Sequence, residues 1–139
     1  MIYALAGTWM GEGTTHEGEP FTGRLIFLTV AEKHGVAVSF SARGGDGEIL
    51  YKQYGLIADD KFASVDNQVA GMTMLTMRQS EPGKFCVFGM GERDDTSSYR
   101  LEITLEIHSD HEIAYRLGWG LPGGEFHPRS GLLLKRTAR

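Results

Sequence analysis

Turn-forming residues recur along this chain at an even beat, and that beat restricts the fold more than any other feature. The signals fall at Glu17-Gly18-Glu19-Pro20, Glu32-Lys33-His34-Gly35, Gly44-Gly45-Asp46-Gly47, Ala58-Asp59-Asp60-Lys61, Ala70-Gly71, Glu81-Pro82-Gly83, Asp94-Asp95-Thr96-Ser97, Ser109-Asp110 and Pro122-Gly123-Gly124. Gly, Pro, Asp and Ser supply the backbone angles that tight turns need. Nine turns leave ten segments of about ten to fifteen residues from turn to turn, a spacing that predicts an all-β chain.

Within several segments the side chains alternate with period two. Leu101, Ile103, Leu105 and Ile107 share one face of a strand, and Glu102, Thr104, Glu106 and His108 the other. Ile113, Tyr115, Leu117 and Trp119 repeat the pattern, as do Val36, Val38 and Phe40. The best helical candidate, Thr29 to His34, is at most about one turn. Short connections leave no room for parallel crossovers, so sequential antiparallel hairpins are expected. About ten strands without a covering layer must hide their edges, and closing the sheet does so. The expected fold is all-β: one closed, antiparallel, up-and-down barrel spanning residues 1–139 as a single domain. A Greek-key sandwich is the alternative; the absence of a long connection counts against it.

Composition narrows the function classes. The 139 residues carry a formal net charge of −4, and Lys and Arg do not cluster, which argues against a nucleic-acid surface. Cys86 is the one cysteine, set among Phe85, Val87 and Phe88 as a small apolar filler. The first residues have no basic stretch followed by an apolar run, so no signal peptide is expected and a cytoplasmic location is the default. No apolar run reaches the length of a membrane helix.

Gly7-Thr8-Trp9 at the first strand, with Arg136 in the last, resembles the calycin group of lipocalins and fatty-acid-binding proteins. The resemblance implies a barrel whose first-strand Trp9 plugs one end and whose Arg136 packs over the indole, a contact worth about 0.5 to 2 kcal/mol. The longer opening, Leu5-Ala6-Gly7-Thr8-Trp9-Met10-Gly11-Glu12-Gly13, is similar to that of nitrobindin-type haem-binding barrels. That resemblance implies a cytoplasmic ten-stranded barrel holding haem through a last-strand histidine. The matching position here is Arg129, and the nearby histidine is His127, two residues earlier on the same face of a regular strand. His127 is therefore the candidate haem-iron ligand. The helical lid of fatty-acid-binding proteins has no counterpart in the pattern of Gly11 to Phe21.

The expected function is enclosure of one apolar or amphipathic small molecule, with haem as the candidate cofactor. Apolar walls are expected from Phe27, Phe40, Met72 and Met74, with Tyr54, Tyr115 and Trp119 as amphipathic lining. Trp9 and Arg136 close one end or touch the ligand, and His127 and Arg129 hold iron or receive a carboxylate. Gly11 and Gly13, on the face of Trp9, either leave room for a ligand or let strands approach closely. No catalytic signature is present. Two alternatives stay open. One is an isomerase or cyclase using a buried charge from Arg24, Lys52, Glu92 or Arg116. The other is a filled barrel serving as an oligomeric module, and a homodimer is an assembly open to either reading.

Overall fold

In a computed structural model, which describes residues 2–81 and 83–139, the chain forms ten antiparallel strands closed into one barrel. They are β1 (Gly7–Thr14), β2 (Pro20–Val30), β3 (Gly35–Gly44), β4 (Ile49–Ala58), β5 (Lys61–Asp66), β6 (Thr73–Ser80), β7 (Phe85–Met90), β8 (Arg100–Ser109), β9 (Glu112–Gly120) and β10 (His127–Ala138). Each strand pairs with its sequence neighbours, and β1 closes the ring on β10 through Trp9 opposite Arg136 and Gly13 opposite Leu132. Closure leaves no unpaired edge. The strands follow the turn signals of the sequence; Met1 and the Pro82 of one expected turn lie outside the described residues.

The expected helical turn after β2 is a 3-10 turn at Ala31–Lys33 in which Ala31, Glu32 and Lys33 all adopt positive φ. A second 3-10 turn, Ile2–Leu5, has no signal in the sequence pattern; it buries Ile2 and Leu5 under the barrel.

That lower end is sealed by the pair the sequence singles out. Trp9 is fully buried, its Nε1 donates to the Leu5 carbonyl at 2.8 Å, and the Arg136 guanidinium lies 4.4 Å from the ring centroid. Arg136 also donates to three backbone carbonyls, those of Ala4, Ala6 and Asp110. One side chain thus ties the N-terminal segment, the β8–β9 turn and β10 together over the indole.

Inward faces follow the alternation. Val36, Val38 and Phe40 are buried, as are Leu101, Ile103 and Leu105, and Ile113 and Tyr115. Gly11 sits where an added Cβ would strike the backbone of Leu133 and Leu134, and Gly13 where it would strike Leu132 and Phe21. Both glycines therefore serve close strand approach, and Gly13 also lines an open concavity at the upper end.

Candidate functional site

Burial is graded along the barrel. The lower and middle interior is fully buried, whereas the upper end, where β1 meets β2 and β9 meets β10, is lined by the partly buried Leu50, Tyr51, Met90, Tyr99, Leu117 and Trp119. Lower down, Phe27, Phe62, Phe88 and Ile103 fill the bore, leaving a central space of about 10 Å³, room for about one water molecule. An open concavity of about 430 Å³ lies against the upper ends of β1, β2 and β3, between Glu12, Thr14, Phe21 and Gly44.

Polar groups gather just above the central space. Tyr115 stacks on Phe40 with centroids 4.5 Å apart, and Phe40 leans on Tyr51 at 6.0 Å. The Tyr51 hydroxyl donates to Asp66 Oδ2 at 3.2 Å, and Gln53 Nε2 donates to Ser64 Oγ at 2.8 Å. Tyr115, 3 % exposed and lining the central space, has a hydroxyl with no hydrogen-bond partner. At the rim, Arg129 lies 4.8 Å over the Trp119 ring, whose other neighbour is the His16 edge at 5.4 Å. Arg129 Nη2 reaches the Trp119 carbonyl at 3.4 Å, while its buried Nε–H has no acceptor.

Burial pushes the Tyr51 phenol well above its ordinary range, helped by Tyr115 and the Asp66 charge. Burial followed by Asp66 does the same to Tyr115, and the same two causes raise Tyr99. Burial raises the Cys86 thiol to about 11. These groups keep in the folded chain protons that the unfolded chain releases above roughly pH 9 to 10, so their stabilisation is fully present below that range and is lost progressively as pH rises from it toward the raised values of the folded chain. The expected result is a denaturant midpoint that falls steadily above about pH 9, with the tyrosinate absorbance of Tyr51 and Tyr115 appearing together with unfolding. A midpoint that stays level over that range would contradict the buried placement of these phenols.

The structure gathers Phe27, Phe40, Tyr115 and Trp119 inside the barrel, with Arg129 at its upper rim. It places Trp9 and Arg136 at the opposite, sealed end, as a plug. Three expected lining residues require correction. Tyr54 and Met74 are about half exposed on the outer face, and Met72, 69 % exposed, lies in the β5–β6 connection. The inward positions of β4 are Tyr51, Gln53 and Ile57, so parity turns Tyr54 outward. Apolar residues on both faces of β4 hid this from the sequence, as did the polar identity of Gln53. The candidate buried charges of the enzyme reading also point away: Arg24 and Glu92 are exposed, Lys52 lies outside over Tyr54, and Arg116 pairs with Glu106 on the outer surface. Asp66, Gln53 and Ser64 went unnoticed as site residues, since nothing local marks a polar residue as inward-facing.

His127 is exposed at the rim, opposite Trp119, where the β10 ladder shifts register between Pro128 and Ser130. The central space of the bore does not fit haem: it has room for about one water, and no histidine lines it. Nor do the described residues contain a cluster of three or more His, Cys, Asp or Glu that would hold a metal ion. Among them no helix is long and apolar enough to cross a membrane.

No family model matches this chain, and no curated protein does. Solved structures do. Rv2717c from M. tuberculosis is 15% identical with a TM-score of 0.72, over 98% of this chain and 94% of that one. The designed barrel EF1p2_mFAP2b, solved bound to DFHBI, is 12% identical with a TM-score of 0.51, over 98% and 96%. A fluorescence-activating β-barrel designed de novo is 17% identical with a TM-score of 0.50, over 95% and 93%. At these identities the likeness is one of fold.

Proposed function

We propose that this barrel binds one small amphipathic molecule through its upper end. The carrying observation is two of the three buried side-chain donors that lack acceptors among the described residues, the Tyr115 hydroxyl and the Arg129 Nε–H; the third is the Arg100 Nε–H. Leaving a buried donor unpaired costs about 1 to 3 kcal/mol, a cost that a ligand acceptor removes. The ligand's flat apolar body rests on Phe40, Leu117 and Trp119, with Met90 adapting to its shape. An acceptor atom takes the Tyr115 proton, and an anionic group faces Arg129 at the rim. Seating it requires Trp119 and its partly buried neighbours to move, since the resting cavity admits about one water. The designed barrel of similar shape that holds DFHBI supports this use of the architecture.

The test uses the amphipathic anionic dye anilinonaphthalene sulfonate as probe. Saturable fluorescence enhancement with unit stoichiometry is expected for the native protein. Tyr115→Phe keeps the ring on Phe40 but removes the unpaired hydroxyl. It is expected to stabilise the free protein by about 1 kcal/mol while weakening dye binding about threefold to tenfold. Enhancement that does not saturate, or a Tyr115→Phe protein with native dye affinity, would remove the proposal.

A further inference from the structure

The outer face of β2 to β6 carries two adjacent cross-strand rows without a charge. In the first, Leu28 pairs with Ala37, Ala37 with Leu56, Leu56 with Ala63 and Ala63 with Met74. In the second, Ile26 pairs with Ser39, Ser39 with Tyr54 and Tyr54 with Val65. Leu28 is 61% exposed, Met74 52%, Tyr54 50%, Leu56 47% and Val65 44%. Single exposed apolar residues are ordinary on a protein surface; a contiguous block across five strands marks an interaction site.

The rim of this block is cationic at one end and mixed, with more acidic than basic residues, at the other. Above the rows, toward the open mouth, Arg24 and Lys52 flank Ser41 in the next register step. Below them, at the plugged end, Glu32, Asp59 and Asp60 are exposed in the two turns, alongside Lys33 and Lys61. Lys61 is engaged by the Thr76 hydroxyl at 3.1 Å.

We propose that this face binds a second copy of the chain, turned end for end about a two-fold axis through β4 between Tyr54 and Leu56. That rotation lays the Leu28–Met74 row of each copy on the Ile26–Val65 row of the other. It also brings Arg24 and Lys52 of one copy toward Asp59 and Asp60 of the second. An isologous contact of this kind closes on itself and makes a dimer, not a filament. Strand spacing and rise give the two rows and their charged margins a footprint of roughly 20 by 25 Å, about 500 Å² per copy. The pair then buries about 1,000 Å², at the lower edge of specific interfaces, so the dimer is weak and concentration-dependent.

Sedimentation velocity on the whole protein, from about 1 to 200 µM, tests this over the range expected for a small interface. The weight-average mass is expected to approach twice that of the chain at the top of the range, and Leu56→Lys is expected to hold it at the monomer value. Lys52→Glu and Asp60→Lys should each weaken association about tenfold, and the double variant should restore it. Thermal melts of the variants show whether each is folded; should Leu56→Lys fail to fold, the charge-swap set decides. A monomer at every concentration, or a dimer that survives both Leu56→Lys and the charge reversals, overturns the proposal. So does a monomer that associates only with an added, unrelated protein.

Discussion

Trp9→Ala will lower the unfolding free energy by about 4 kcal/mol, the cost of truncating a large buried aromatic that cannot be refilled. The indole is fully buried and spans the lower bore, with the Leu5 carbonyl bonded to its Nε1. Its removal also strips the Arg136 guanidinium of its ring, while the three carbonyls that this cation bonds stay fixed. Cavity and lost cation–π contact therefore add. The melting temperature should fall by roughly 10 °C or more. Arg136→Ala should cost less, about 2 kcal/mol, because its carbonyl partners lie near water. Calorimetry checks both. A Trp9→Ala protein melting within a few degrees of the native one would show that the plug is not what holds the lower end shut.

Arg100→Ala is expected to cost about 3 kcal/mol through a different mechanism, the loss of charge-assisted hydrogen bonds. Arg100 is 1% exposed, although it sits at the start of β8 and has no carboxylate in salt-bridge range among the described residues. Its Nη2 donates to the Leu121 carbonyl at 2.9 Å and the Gly124 carbonyl at 2.7 Å, and its Nη1 to the Arg93 carbonyl at 3.4 Å. One cation thus pins the 91–99 connection and the 121–126 connection together at the mouth. Gly120 is glycine for the same reason: an added Cβ would occupy the space of the guanidinium. Lysine cannot bridge diverging carbonyls with a single ammonium, so Arg100→Lys should not rescue stability. Chemical denaturation and limited proteolysis of the two connections measure the effect. Arg100→Met is the sharper control: native stability in that variant would mean that burying the cation costs as much as its bonds return.

Much of the architecture was legible because it rests on local pattern. Turn chemistry marked the strand breaks, and period-two alternation placed Leu101, Ile103, Leu105, Ile113 and Tyr115 inside. The Trp9–Arg136 pair was legible through what the chain's two ends resemble. Glu102 shows where the pattern stops. Alternation places it outside, and it is outside, yet it is 7% exposed because Arg78 and Arg93 both close over it, the first at 3.0 Å. Those partners come from β6 and from the β7–β8 connection, and no local spacing relates them to β8.

The candidate site divides the same way. Phe40, Tyr115 and Trp119 could be read from the alternation of single strands, whereas Tyr54, Met72 and Met74 were misplaced and Asp66, Gln53 and Ser64 were missed. On β4 neither face is polar enough to reveal parity, on β6 an outward Met74 interrupts a polar face, and at Pro128 and Ser130 a register shift in the last strand breaks the two-residue relation between His127 and Arg129. The sequence by itself determined the approximate number of strands and their antiparallel succession, since turns and alternation act within a few residues. Only the tertiary structure decided which ambiguous faces turn inward, how little space the bore retains and where unpaired donors remain. Those outcomes depend on the volumes and polar atoms that strands distant in the chain bring to the same point.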